Sequence, residues 1–194
     1  MSAEPPAPSP FLLEQLARLE DTAPLGPVLD LACGRGRHAL ACARRGLRGV
    51  GVDRDRARLA ELTRRGDAGP RPPDTLVADL ESGLGIPFRS GSCGAILVFR
   101  FLFRPLAPEI ARVLAPGGWL LYETFTTRQR ELDYGPSNPA FLLEPGELPG
   151  LFPELEVVEH AEGLWGEPRP LALARLLARR PAVGAGAGAG VGAG

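Results

Sequence analysis

The stretch VLDLACGRGRHAL, residues 28–40, constrains the fold of this chain more than any other. An apolar run meets an aspartate, then two glycines one residue apart, then a helical pattern. A strand that turns abruptly into a helix through a glycine loop is the opening unit of a parallel α/β sheet. The following residues repeat the alternation. "PVLDLA" reads as a buried strand and "RHALACARRG" as a helix closed by Gly46. "LRGVGVD" is a strand, and "RDRARLAELTRRG" a helix closed by Gly66. "DTLVADL" and "CGAILVFRFLF" are further strands. "APEIARVLAPGG" is a helix running into a turn before the strand "WLLYETF". Nearly uninterrupted apolar strands separated by helices predict a parallel sheet covered on both faces.

Past Phe125 the pattern loosens. Residues 126–150 form a long connection at a strand end, where ligand-covering loops are found. "LEVVEHAEGLW" alternates like a strand. "RPLALARLLARR" has helical propensity, but Leu171, Leu173, Arg175 and Leu177 alternate, and a closing antiparallel hairpin would complete the sheet. Before the main fold, Phe11, Leu12, Leu16 and Leu19 mark a short amphipathic helix. The expected organisation is a disordered Pro-rich segment over 1–10, one domain over 11–181, and a flexible Gly/Ala tail over 182–194 that has almost no side chains to bury.

Composition removes several function classes. The net charge is −1, so no bulk attraction to nucleic acid or anionic membrane is expected. Cys33, Cys42 and Cys93 are odd in number and widely spaced, which fits neither a disulfide framework nor a metal site. Free thiols suit a reducing cytoplasm. No apolar run reaches the ~20 residues needed to span a bilayer, and "MSAEPPAPSP" lacks the pattern of a signal peptide. A cytoplasmic monomer or homodimer is expected.

The glycine loop alone leaves two nucleotides open. Gly34, Gly36 and Ala39 satisfy the dinucleotide pattern G-x-G-x-x-G/A, and equally the D-x-x-x-G-x-G loop that binds S-adenosylmethionine. Asp30 tilts the choice. A carboxylate near a buried strand end is costly without partners, and the ammonium of a methionine moiety is such a partner, directly or through water. Asp53, in "GVDRD", can accept from both ribose hydroxyls in either class. Asp79, in "VADLES", is placed for an adenine amino group, with Leu80 against the ring. Cys33 reads as a small buried residue of the loop, not a nucleophile.

These same stretches, with "RVLAPGGWLLYETF", resemble the successive motifs of class I S-adenosylmethionine-dependent methyltransferases over roughly residues 26–180. "YETFTTRQRELDYGPSNPAFLLEPGEL" resembles a segment of the small bacterial tellurite-resistance-type members. The resemblance implies a Rossmann-like, doubly wound α/β sheet of seven strands, order 3-2-1-4-5-7-6, with the last strand antiparallel. It implies S-adenosyl-L-methionine held by Asp30, Ala32, Cys33, Gly34, Gly36, Asp53, Arg54, Asp79, Leu80 and Phe99. Arg100, with Phe99, falls where family members complete the cofactor pocket.

The acceptor is less legible, because an activated methyl group needs placement and dry surroundings more than a catalytic side chain. Glu123, Tyr134 and Arg100 are the catalytic candidates, with Tyr122, Arg104, Arg128 and Arg130 near them in sequence. An arginine cluster facing the pocket would suit an anionic substrate; solvated or locally paired arginines are the plainer reading. His38 is expected to order the loop and His160 to be structural. A small-molecule acceptor leads, with RNA or protein as the alternative acceptor. An NAD-binding oxidoreductase or a non-catalytic cofactor binder are the other classes. "RFLFRP" after the fourth strand excludes the [DN]-P-P-[FYW] signature of methylation at adenine or glutamine amino groups.

Overall fold

The computed structural model describes residues 7–64 and 71–182. Helix α1 spans Pro10–Glu20. Strand β1 (Val28–Leu31) leads through the glycine loop into α2 (Arg37–Arg44). Then come β2 (Gly49–Asp53), α3 (Arg56–Thr63), β3 (Asp74–Val77), β4 (Cys93–Phe99), α4 (Ala107–Val113) and β5 (Leu114–Phe125). The chain closes with the short α5 (Glu147–Gly150), β6 (Glu156–Trp165) and β7 (Leu171–Arg179). The strands form one sheet in the order β3-β2-β1-β4-β5-β7-β6. β1 to β5 pair in parallel, and β7 runs antiparallel between β5 and β6.

Period-two alternation divides the apolar residues between the two faces of the sheet. Leu29, Leu31, Ile96, Val98, Leu120 and Tyr122 pack with Ile110 of α4 and with Leu148 and Phe152. Val28, Ala95, Leu97, Trp119 and Leu121 pack on the other side with Phe11, Leu12, Leu16 and Leu19 of α1. Phe11, Leu12 and Leu19 are fully buried, and each contributes about 1.5–3 kcal/mol of transfer free energy. The seven-strand order matches the expectation.

Several boundaries differ from the sequence reading. β3 ends at Val77 and β4 at Phe99, so Asp79, Leu80 and Arg100–Phe103 are loop residues at the carboxyl edge of the sheet. The strand "LALARLLAR" is real despite its helical propensity, because both its edges are hydrogen-bonded. Gly46 terminates α2 with φ +78°, whereas Gly66 lies outside the described residues. The segment expected to be disordered begins its order early. Ser9 is buried and Pro10 opens α1. Residues 1–6 and 183–194, which hold the rest of that segment and nearly all of the Gly/Ala tail, lie outside the described residues.

Candidate functional site

Strand register sets the site. β1 and β2 end side by side, with Leu31 opposite Val52, so the β1–α2 loop lies against Asp53. The Gly34 N–H donates to Asp53 Oδ2 at 2.8 Å, and the Asp55 N–H to Asp53 Oδ1 at 2.9 Å. Asp55 in turn caps α3 by accepting from the Ala57 and Arg58 N–H groups. Asp53 therefore orders two loops, and each of its oxygens keeps a lone pair for a further donor. The two loop glycines serve different ends. Gly36 (φ +71°) has no room for a Cβ, which would sit 2.5 Å from the buried Leu62 side chain. Gly34 (φ +57°) would meet nothing closer than Arg58 at 4.0 Å. The first is required by packing. The second leaves open space beside Arg58, which lines both cavities described below.

Two cavities adjoin at this edge. The larger, about 370 Å³, has an acidic half formed by Asp53, Asp79 and Glu81, with Ala78, Leu80 and Arg54 beside them. Its other half carries Phe101, Leu102, Thr124, Phe125, Pro136 and Phe141. The smaller, about 290 Å³, is lined by Cys33, Arg35, Arg37, His38 and Phe99. Ala32, Arg58 and Arg100 line both. Ala32 (φ +52°) and Arg100 (φ +60°) are the positive-φ residues other than glycine among those described. Strained backbone of this kind concentrates at functional sites. Asp79 is exposed, with one oxygen accepting from the Glu81 N–H. Leu80 is buried beside it. Arg54 pairs with Glu81 at the rim at 3.0 Å.

The smaller cavity has an unmet polar group. His38 is 3 % exposed, stacks on Phe99 at 3.9 Å, and its Nε2 has no hydrogen-bond partner. Burial, with the Arg37 and Arg100 charges nearby, pushes its pKa down to about 2, so the ring is neutral. Arg35, Arg58 and Arg100 are paired with Glu61, Asp55 and Glu123. The half-buried Arg37 donates to the Ala7 carbonyl and has no carboxylate partner among the described residues. The cavity thus presents a guanidinium with no paired carboxylate, Arg37, beside the shared Arg100, and one unpartnered imidazole nitrogen, which suits a carboxylate.

Asp30 lies near the buried end of β1, as the sequence predicts, but its side chain turns away from both cavities. It lies within β1 on the α2 side and lines neither cavity. It is 1 % exposed and accepts from the Ala39 N–H at 3.0 Å, with His38 Nδ1 4.0 Å away. Burial raises its pKa to about 7. Its place is behind the first turn of α2. Burial and the neighbouring Asp30 and Asp53 charges push the Cys33 thiol up, away from a reactive thiolate.

The catalytic candidates fare differently. Glu123 is wholly buried. Its Oε2 accepts from Ser9 Oγ at 3.0 Å and Arg175 Nε at 2.9 Å, and its Oε1 from Arg100 at 3.3 Å. Arg175 lies against the Trp165 and Phe11 rings. With three partners and no exposure, Glu123 is a structural acid. Tyr134 also leaves the site: its hydroxyl donates to the Pro170 carbonyl, Arg169 covers its ring, and it lines neither cavity. The Tyr122 hydroxyl donates to the Phe101 carbonyl. The arginine cluster does not assemble. Arg104 is bound to Glu147 and to the Ala140 and Leu142 carbonyls, Arg128 pairs loosely with Glu131, and Arg130 is exposed. Arg100 alone of that group reaches the cavities. His160 pairs with Glu162 on β6, in keeping with a structural role.

Sequence reasoning missed Ser9, Arg175, Arg37, Arg58, Thr124 and the aromatic half of the larger cavity. Arg175 had a signal, a lone charge in an apolar alternation. Ser9 had none.

Residues 28–118 match a family model described as a methyltransferase domain. The chain has the fold of class I S-adenosylmethionine-dependent methyltransferases. Among solved structures, the chain is similar to TehB from Haemophilus influenzae, with a TM-score of 0.67 and 20 % identity over 84 % of this chain; the match spans 62 % of the TehB chain. It is similar to an S-adenosylmethionine-dependent methyltransferase of Methanosarcina mazei, with a TM-score of 0.66 and 16 % identity over 91 % of this chain and all of that one. It is also similar to a geranyl diphosphate methyltransferase in complex with GPP and sinefungin, with a TM-score of 0.61 and 17 % identity over 87 % of this chain and 78 % of that one. The comparison with curated proteins gave no match. Among the described residues, no group of His, Cys, Asp or Glu is arranged to hold a metal, and no helix is long and apolar enough to cross a membrane.

Proposed function

We propose that this protein is a methyltransferase that transfers the methyl group of S-adenosylmethionine to a small-molecule acceptor bound beneath the segment 126–143. The observation that carries the reading is the pair of adjoining cavities with opposite electrostatic character. The acidic half of the larger one suits the nucleoside: Asp53 accepts from the ribose hydroxyls, Asp79 from the adenine amino group, and Leu80 lies against the ring. Arg54 and Glu81 close the rim. The smaller cavity suits the methionine moiety. Its carboxylate takes the Arg37 guanidinium and the His38 Nε2–H, while Ala32, Cys33 and Gly34 present backbone to it and Phe99 forms a wall. Gly36 and Asp30 act from behind by holding the loop and the first turn of α2 in place. When bound, the cofactor supplies a methyl group already activated on a sulfonium. The chain's part is to bind the two ends, exclude water and set the acceptor in line.

Calorimetric titration with S-adenosylmethionine, S-adenosylhomocysteine and NAD tests this. Both sulfur ligands are expected to bind at one site. Binding of NAD alone would favour the oxidoreductase class and overturn the proposal.

A further inference from the structure

We propose that the acceptor is a small organic anion, with an apolar body and a carboxylate or thiolate nucleophile that arrives already deprotonated. This rests on the methyltransferase reading and deepens it. Three observations meet in the half of the larger cavity away from the nucleoside acids.

The first is the lack of a free base there among the described residues. Glu123 is wholly buried and holds three donors. The Tyr122 and Tyr134 hydroxyls are spent on backbone carbonyls. The remaining carboxylates on that cavity, Asp53, Asp79 and Glu81, belong to the β2 and β3 ends, across β1 from the β4 and β5 ends that carry Phe101, Leu102 and Phe125. A neutral alcohol or ammonium-form amine would need a base to take its proton. An anion needs none.

The second is charge. Glu123 is one carboxylate facing two guanidiniums, so the Glu123–Arg100–Arg175 cluster has a net charge of +1. Arg175 is nearly buried between aromatic rings, whereas Arg100 is 28 % exposed and lines both cavities. The surplus positive charge therefore reaches the acceptor through Arg100. Its backbone is fixed in a positive-φ conformation, with its N–H donating to the Glu123 carbonyl at 2.8 Å. The third is shape. Phe101, Leu102, Phe125, Pro136 and Phe141 give an apolar wall, with Phe141 47 % exposed at its margin. A bare inorganic oxyanion would leave that wall without a partner.

The reaction balances without proton transfer. A lone pair on the acceptor oxygen or sulfur forms the new bond to the methyl carbon. The carbon–sulfur bond of the sulfonium breaks, and its electron pair remains on sulfur. An anion and a cation become a neutral methyl ester or thioether and S-adenosylhomocysteine. Charge is annihilated, which a water-poor site favours.

The test measures labelled methyl transfer to benzenethiol, benzoate, phenol, aniline and selenite. Transfer to benzenethiol or benzoate is expected to exceed that to phenol and aniline at least about tenfold in kcat/KM, and the two active arms separate thiolate from carboxylate. With ring-substituted benzenethiols, the rise of kcat/KM with pH should follow the acceptor's own ionisation. Arg100→Gln should lower kcat/KM for the anion about 10- to 100-fold, as loss of a charge-assisted contact implies, and lower S-adenosylhomocysteine affinity less. Arg100→Lys should recover part of the loss. Preference for aniline or phenol, transfer to selenite alone, a pH rise independent of the acceptor, or no transfer to any of the five with cofactor bound would overturn the proposal. Failure of the cofactor to bind would instead overturn the methyltransferase reading.

Discussion

The two loop glycines should separate folding from binding. Both have positive φ, so alanine at either costs about 1–2 kcal/mol in backbone strain. At Gly36 the new Cβ would also lie 2.5 Å from Leu62, which is fully buried and cannot swing to solvent. Overpacking of that kind adds about 1–3 kcal/mol, so Gly36→Ala should destabilise by about 2–5 kcal/mol. At Gly34 the nearest atom is Arg58 Nη1 at 4.0 Å. Gly34→Ala should therefore cost only the strain, about 1–2 kcal/mol. Its Cβ would face Arg58, which lines both cavities, and in the proposed binding mode would crowd the cofactor. A clash of about 1–3 kcal/mol there weakens S-adenosylhomocysteine about 10- to 100-fold. Urea denaturation of the two variants, with calorimetry on Gly34→Ala, provides the measurements. Equal destabilisation of the two variants, or undiminished ligand affinity in Gly34→Ala, would refute the reasoning.

Asp53→Ala should weaken the cofactor by about 1–3 kcal/mol through lost charged hydrogen bonds, read by the same calorimetry; unchanged affinity would place the ribose elsewhere. Glu123→Ala leaves Arg175 buried without its acid and should cost about 3–5 kcal/mol in urea denaturation. Asp30 has its folded pKa raised to about 7 from 3.8 by burial, so its contribution to stability is full below pH ~3.8 and is lost as pH rises towards 7. Asp30→Asn should thus gain on the parent protein across that window when cofactor-free denaturation is followed at several pH values; a constant difference would show that Asp30 does not titrate there. Arg104→Ala removes the tie to Glu147 and to the Ala140 and Leu142 carbonyls, and limited trypsinolysis should then cut faster at Arg128 and Arg130.

The strands and their order were legible because they depend on local alternation and on one recurring turn. Leu29 and Leu31 pack on one face and Val28 on the other, as period two requires. The last strand was harder, because Leu, Ala and Arg favour helix and only pairing with β5 and β6 decides the matter. Asp53 and Asp79 are legible as residues of the sheet's carboxyl edge, because Asp53 ends β2 and Asp79 lies two residues past β3. Asp30 was recognised as a costly buried acid, but not as one held by α2, because its side-chain direction depends on strand parity and on the neighbouring helix. The Ser9–Glu123–Arg175 cluster joins residues 114 and 52 positions apart, and no local pattern reports such a contact. The aromatic wall comes from the loop after β4, the last residue of β5 and the long connection that follows, each unremarkable alone.

The central claim is that the two cavities hold the two ends of one cofactor. A crystal structure with S-adenosylhomocysteine tests it most directly. The expected result is adenosine against Asp53, Asp79 and Leu80, and the homocysteine carboxylate within hydrogen-bond distance of Arg37 and His38 Nε2. A reversed ligand, or one that leaves His38 Nε2 unpartnered, would contradict the account.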